Sequence, residues 1–349
     1  MPKLRIGVLY DIWWVQEEPS PPKEAAAPKE GDGTKRKKKE REVHQEVYHA
    51  LKESGHNPFY LIIEGDDETL GRIPETKTDL IFNLSESYAG DDTKDTNIAA
   101  YLDLLDRRYT GAGPNGLYLA QDKSLAKKIF AFHGIKTPFF ATVYRGRVDW
   151  SDDIRFPVIV KPSREDGSIG IGFKSVVDSI KDLMERIDAI HERFDSPALI
   201  EEYIEGREIY VGVMGNERPE ALPIVELDLS HIPEGQRIAG HEVKWRVGTE
   251  AYEKAEPFFP DDLDEETAQR IRHTAVEAYK ALKLRDYGRI DLRLAADGTP
   301  YVIEVNPNCW LAEKSEFAMA AKKAGRSYEA LIEEIVTLAL ARYGVTNGS

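Results

Sequence analysis

Two runs of alternating apolar and polar residues stand near the C-terminus, Y-G-R-I-D-L-R-L-A and P-Y-V-I-E-V-N, on either side of Asp297-Gly298. Period-two runs around such a turn predict an antiparallel hairpin. Alternation places Arg289, Asp291 and Arg293 on one face, with Ile290, Leu292 and Leu294 on the other. On the return strand it groups Val302, Glu304 and Asn306, with Tyr301, Ile303 and Val305 opposite. A turn centred on Asp297-Gly298 sets Asp291 across from Glu304 and Arg289 across from Asn306. Like charges directly opposed are destabilising. Two carboxylates and an amide oxygen on one face therefore call for a cation, and hard oxygen donors fit Mg²⁺ shared with a phosphate. A solvated surface hairpin is the plain alternative.

Earlier in the chain, apolar runs at Leu4–Tyr10, Asn57–Ile63 and Leu80–Leu84 read as strands. Val43–Ser54 reads as a helix, with Val43, Val47, Ala50 and Leu51 on its buried face and Gly55 as its stop. Strand–helix–strand alternation predicts a small parallel α/β unit. Residues 17–41 interrupt it with a proline-rich, charged stretch that has little apolar surface to bury; its K-R-K-K-K run reads as a solvated charge run. Asn97–Leu105 is helical. Asp122–His133 is a helix capped by Asp122, with a stripe of Leu125, Ile129 and Phe132 that leaves Lys123 outside it. Phe156–Pro162 is a strand ending at Lys161. The loop S-R-E-D-G-S-I-G-I-G-F follows, whose Gly167, Gly170 and Gly172 let the backbone wrap an anion. It is not a P-loop, and no G-x-G-x-x-G follows the first strand. Further on come a helix at Ser179–Phe194 and a hairpin of Ala198–Ile204 with Ile209–Met214. Leu222–Leu227 continues the sheet, and helices at Asp264–Leu282 and Tyr328–Tyr343 complete the pattern.

At 349 residues the chain is long enough for several cores, and 41% hydrophobic with 31% charged residues is a globular balance. A net charge of −15 argues against general nucleic-acid binding, which needs a basic face. The single cysteine, Cys309, excludes an intrachain disulfide and fits a reducing compartment. No apolar run approaches the length of a membrane span, about 18 residues or more. The opening M-P-K-L-R-I-G-V-L-Y is too short an apolar run for a signal peptide, so a cytoplasmic protein is expected.

Six stretches, in this order, carry a resemblance: Q-D-K-S-L-A-K-K, F-P-V-I-V-K-P-S-R-E-D-G-S-I-G-I-G, I-E-E-Y-I-E-G-R-E, E-V-K-W, G-R-I-D-L-R-L and Y-V-I-E-V-N-P-N. The chain resembles the ATP-grasp superfamily and, within it, the D-alanine–D-alanine ligases, from about Glu40 to Arg342 together with the first strand. The resemblance implies an α/β protein, α+β in its ATP-grasp part, with ATP held between two sheets. It implies an N-terminal α/β substrate domain at 1–115, a central subdomain with a glycine-rich flap at 116–204, and a C-terminal catalytic and metal-binding domain at 205–349. Lys123 and Lys161 match the lysines that hold ATP phosphates, and Lys244 matches a further one. Glu201, Glu202, Tyr203 and Ile204 match the segment that meets adenine, and Glu208 the ribose-binding carboxylate. Ser168 belongs to the flap. Asp291, Glu304 and Asn306 match the ligands of two Mg²⁺ ions, a pair that Mn²⁺ also suits. Arg289 matches the arginine that supports developing negative charge, and Glu40 a glutamate that orients the first substrate's amino group.

The implied chemistry is coherent. A carboxylate takes the γ-phosphoryl group of ATP, and an amine then displaces phosphate from the acyl phosphate. Amino acids or small peptides are the implied substrates and a homodimer the implied assembly, without nucleic acid or membrane. The departures concern the substrates. Asp11-Ile12-Trp13-Trp14 and the insertion stand where the ligases carry a Gly-Gly turn, and Ser85-Glu86-Ser87 stands where they carry a His-Gly segment. Trp245 replaces a common tyrosine. Pro307-Asn308-Cys309-Trp310-Leu311 replaces a small and hydroxyl-rich run that helps bind the acceptor's carboxylate. D-alanine is thus the default substrate, beside a ligase of other amino acids or small peptides and a non-catalytic ATP-binding regulatory or scaffold protein. Deleting residues 19–39 while keeping Glu40 is expected to leave nucleotide affinity within a few-fold, measured by calorimetry. A large loss would show that the basic run reaches the phosphates.

Overall fold

The computed structural model describes residues 3–12, 42–151, 155–165, 168–194, 196–244, 246 and 248–345. Glu40, the 17–41 insertion, Trp13, Trp14, Gly167 and Trp245 lie outside them. The strands of the described residues form three sheets. The first is parallel, with Arg5–Asp11 between Asn57–Ile63 and Leu80–Asn83. Its central strand is buried along nearly its whole length, as expected for a parallel strand covered on both faces. The Val43–Glu53 helix buries Val47, Ala50 and Leu51, as its periodicity predicts. These residues join one core with Ile6, Val8, Phe82 and the C-terminal Tyr328–Arg342 helix.

The second sheet is antiparallel, in the order Arg147–Ser151, Phe140–Tyr144, Ala198–Glu202, Val158–Pro162, Val176–Val177. In the third, Pro257–Phe258, Val225–Leu227, Gly206–Met214, Tyr287–Ala295 and Pro300–Pro307 are neighbours in that order, and Glu220–Ala221 pairs onto Gly206–Met214. The Glu265–Ala281 helix covers the back of this sheet, burying Ile271, Ala275 and Ala278 against Ile290, Leu292 and Val305. Among the described residues no helix is long and apolar enough to cross a membrane.

The expected hairpin of Ala198–Ile204 with Ile209–Met214 does not form. The chain leaves the second sheet after Glu202 and enters the third at Gly206, so each strand finds its partners elsewhere. Gly206 is what permits the crossing, because a Cβ there would lie 2.1 Å from the Leu294 carbonyl oxygen. The sequence also hid the Asp67–Glu75 helix, which contains Gly71 and Pro74, both poor helix formers; it starts from the Asp66 carboxylate, which accepts from the Thr69 amide at 2.8 Å.

Gly206→Ala is expected to force the two strands apart and destabilise the fold by about 1–3 kcal/mol. A urea titration measures this, and a variant as stable as the parent would show that the crossing relaxes freely.

Candidate active site

The Tyr287–Pro307 hairpin forms, and its register sets Asp291 opposite Glu304 and Arg289 opposite Asn306. It reaches that register by an unexpected route. The turn is not centred on Asp297-Gly298. The Gly298 amide donates to Ala295 O at 2.9 Å and the Ala295 amide to Thr299 O at 3.0 Å, with Gly298 at φ +77°. A β-bulge then restores the pairing, since Leu292 faces Val302 while Asp291 faces Glu304, leaving Ile303 as the extra residue. The expected faces of the return strand change accordingly. Val302 packs into the core with Val305, and Ile303 turns to the cleft beside Glu304. The bulge has a tertiary cause: the Val302 amide donates to Lys136 O at 2.8 Å, and the Thr137 hydroxyl donates to Val302 O at 2.8 Å.

The Lys123–Phe132 helix is capped by Asp122, whose carboxylate accepts from the Leu125 amide at 3.0 Å. Its buried face is not the expected stripe. Phe132 is 87% exposed, whereas Lys123 and Lys127 are buried with Ala126 and Phe130. Both lysines face carboxylates in the cleft, and buried charge needs a partner more than Leu125 or Phe132 needs a core. Lys123 Nζ lies 2.8 Å from Glu304 Oε1 and donates to Glu165 O at 2.6 Å. Lys127 and Lys161 each approach the Glu201 carboxylate to 3.0 Å, and all three side chains are almost fully buried. Burial pulls the Lys127 ammonium down to about 8, against the raising effect of Glu201. Burial also works to raise the Glu201 and Glu304 carboxyls. The lysines outweigh it, keeping Glu201 below the usual range and holding Glu304 down to about 2.

Along the first hairpin strand, Arg293, Asp291 and Arg289 follow one another on the cleft face. Arg293 donates to Ile204 O at 3.1 Å, to Glu208 at 3.0 Å and to Arg237 O at 2.8 Å. Its Nη2 is buried and has no hydrogen-bond partner among the described residues, an orphan donor that a polar ligand would satisfy. Arg289 grips Asp291 with two hydrogen bonds of 2.7 and 2.9 Å, lies 4.9 Å from the Tyr210 ring centroid and reaches Glu316 at 3.3 Å. Burial pushes the Asp291 carboxyl up despite Arg289. Asn306 sits opposite Arg289 and approaches its carbonyl at 3.5 Å.

One cavity between the second and third sheets is lined by Lys161, Ser168, Glu201, Glu202, Tyr203, Ile204, Glu208, Lys244, Asp291 and Glu304. Lys123, Arg289 and Asn306 stand just behind this lining, attached through Glu304, Asp291 and the hairpin ladder. Ser168, at φ +63°, donates to Ala239 O at 2.9 Å, and the His241 amide donates to Ile171 O at 2.8 Å, so the glycine-rich loop rests on residues 239–241. Lys127, Arg293, Ile238, Ala239 and Ile303 join the site beyond the residues that the sequence motifs point to. Arg293 shared the face of Asp291, and Lys127 lies one helical turn from Lys123, so both carried a readable signal; Ile238 and Ala239 sit in a loop with no period. Trp310 stands 54% exposed, while Cys309 and Leu311 are buried in the core. Burial pushes the Cys309 thiol up to about 12, which keeps it protonated. Among the described residues no three His, Cys, Asp or Glu side chains form a metal cage. The oxygen set is Asp291 and Glu304 with the Asn306 amide, hard donors that suit Mg²⁺ when phosphate oxygens complete the sphere.

Residues 132–337 match the family model described as D-ala D-ala ligase C-terminus. An uncharacterized protein of Sinorhizobium fredii is 35% identical over 308 residues, 85% of this chain and 87% of its own length. A D-alanine–D-alanine ligase of Aquifex aeolicus is 30% identical over 292 residues, 83% of this chain and 92% of the relative. The fold matches the crystal structure of a Bacillus anthracis D-alanine–D-alanine ligase complexed with ATP, at a TM-score of 0.69 and 21% identity over 98% of this chain and 99% of that one. Motif order, hairpin register and these matches agree: the chain belongs to the D-alanine–D-alanine ligase family, within the ATP-grasp superfamily.

Proposed function

We propose that this chain is an ATP-dependent, ADP-forming ligase that joins a carboxylate to an amine through an acyl phosphate, with amino acids or small peptides as substrates. The observation that carries the reading is the cleft between the two antiparallel sheets, where Lys123, Lys161 and Lys244 surround the paired Asp291 and Glu304. Three cations converging on two hard-oxygen ligands fit a triphosphate with its metal. In this reading residues 1–115, 116–204 and 205–349 are the substrate, flap-bearing and catalytic domains of a cytoplasmic homodimer that binds neither nucleic acid nor membrane.

Each role is the one that the family resemblance implies, and the chemistry of the side chain supports it. Lys123, Lys161 and Lys244 neutralise phosphate charge and orient the γ-phosphoryl group for attack. Glu208 accepts from the ribose hydroxyls. The amides of Glu202 and Tyr203 already donate to Phe139 O and Pro157 O, so their part in holding adenine falls to carbonyls and side chains. Ser168 and its loop cover the phosphates and keep water from the acyl phosphate. Asp291, Glu304 and Asn306 would hold two Mg²⁺ ions, with Mn²⁺ an effective substitute, and bound metal supplies charge neutralisation at the phosphates. Arg289 supports the oxyanion formed when the amine adds, and Glu40 orients the first substrate's amino group.

The test is hydroxylamine trapping. With ATP and Mg²⁺, a panel of amino acids and short peptides is expected to yield at least one hydroxamate, with equimolar ADP. ATP binding with no hydroxamate from any carboxylate would favour a non-catalytic nucleotide-binding protein.

Glu304→Gln is expected to lower turnover more than about 10²-fold. Its stability follows from the ion pair to Lys123 rather than from relief of repulsion with Asp291. Removing the charge leaves a buried ammonium without its carboxylate, at a cost of about 1–3 kcal/mol. The sign with pH follows. Glu304 has a folded pKa of about 2, below its usual 4.5, so its contribution is fully present above the higher value and lost as pH falls through the lower. The stability gap between parent and variant should therefore narrow below about pH 4.5 in thermal melts. Full activity at saturating Mg²⁺, or a gap that widens in acid, would contradict the assignment.

A further inference from the structure

Two cations of the cleft converge on one aromatic ring. Tyr210 lies on the Gly206–Met214 strand, with Asp291 beside it on one neighbouring strand and Val225 on the other. Strand alternation puts it on the cleft face with Glu208, while Ile209 and Val211 enter the opposite core. It is 2% exposed and belongs to one core with Val225, Val243 and Phe317. The Arg289 guanidinium lies over its ring, 4.9 Å from the centroid, and Lys244 Nζ stands 5.9 Å from the same centroid. The Tyr210 hydroxyl is buried and has no hydrogen-bond partner among the described residues, so the ring makes its contacts to the site.

The same two cations also share Asp291. Arg289 donates to both of its carboxylate oxygens, at 2.7 and 2.9 Å. The charge of Lys244 acts on Asp291 and on Glu304. Asp291 is one of the hard oxygen donors that fit Mg²⁺, and oxygens that turn to a metal are withdrawn from Arg289. Glu316, at 3.3 Å from Nη1, then holds only one corner of the guanidinium. A cation left loose beside a metal site would repel the metal. An aromatic face attracts a cation through its quadrupole, with no lone pair taken from the metal's ligands and no charge added to the cleft. A guanidinium no longer neutralised by its carboxylate feels that attraction more strongly.

We propose that Tyr210 is a positioning residue, whose ring seats Arg289 and Lys244 so that the Asp291 oxygens can turn to Mg²⁺ while both cations keep their places. The inference rests on the nucleotide and metal part of the ligase reading above and deepens it. The ring matters more once Asp291 is given up than before, so its loss weakens metal binding rather than only the fold.

Calorimetry tests this by measuring Mg²⁺ binding in the presence of a β,γ-imido analogue of ATP. The parent is compared with three proteins altered at position 210. Tyr210→Phe keeps the ring and drops the unpaired hydroxyl. A phenylalanine trifluorinated on its ring keeps the shape and cancels the negative face. Tyr210→Leu removes the ring. Tyr210→Phe is expected to bind Mg²⁺ within about twofold of the parent, and the fluorinated and leucine proteins at least about threefold more weakly. Equal affinity in the phenylalanine and fluorinated proteins overturns the proposal, and this comparison stands even if Tyr210→Leu does not fold. Lower melting temperatures with unchanged Mg²⁺ affinity would show a purely structural ring and overturn it as well. If the parent itself takes up no Mg²⁺ with the analogue, the ligase reading falls and the proposal with it, whereas uptake that is the same in all four proteins removes the proposal alone.

Discussion

A buried carboxylate that must be paired organises the cleft. Glu201 is 1% exposed and is held by Lys161, on the neighbouring strand, and by Lys127, on the Lys123–Phe132 helix. Removing one partner from such a buried set typically costs about 3–5 kcal/mol. The constraint then passes to the other sheet. Lys127 donates to the Thr137 hydroxyl at 2.7 Å, which donates to Val302 O at 2.8 Å, at the hairpin bulge. One chain of polar contacts thus runs from the wall that carries Lys161 to the wall that carries Asp291 and Glu304. The site is preorganised because moving either wall would expose a charge in a low-dielectric interior.

The hairpin explains how far the sequence could be read. Strict alternation through Arg289, Asp291 and Arg293 made the cleft face legible, since period two is a local property of the strand. The return strand was legible only up to the bulge. The residues that cause the bulge, Lys136 and Thr137, are 165 positions from Val302 in the case of Thr137 and carry no local sign of it. The pairing of Asp291 with Glu304 came out as expected because two one-residue shifts, at the turn and at Ile303, cancel.

The Lys123–Phe132 helix shows the opposite failure. Its most regular apolar stripe leads to Phe132, which stands in solvent, while two lysines face inward. Periodicity assumes that burial follows hydrophobicity, and that assumption fails where a helix lines a charged cleft. The Ala198–Glu202 and Gly206–Met214 strands likewise look like hairpin partners in sequence but diverge into two sheets at Gly206. Glu316 left no signal either, because it follows an irregular segment and reaches Arg289 only through the fold. The three strands of the parallel sheet, by contrast, were readable almost residue by residue, since each is a short apolar run bounded by polar residues, although the Asp67–Glu75 helix beside them was not.

The central claim is that the cations of the cleft are arranged for a metal-bound triphosphate and that the protein's own carboxylates hold them in place meanwhile. Calorimetric titration with ATP and with AMP, each in saturating Mg²⁺, tests this most directly. Both nucleotides share the base and ribose, and in the proposed reading the β- and γ-phosphates that only ATP carries are the groups that Lys123, Lys161 and Lys244 hold. The account predicts that ATP binds at least about a hundredfold more tightly, a difference of about 2.7 kcal/mol. Equal affinity for the two nucleotides would contradict it.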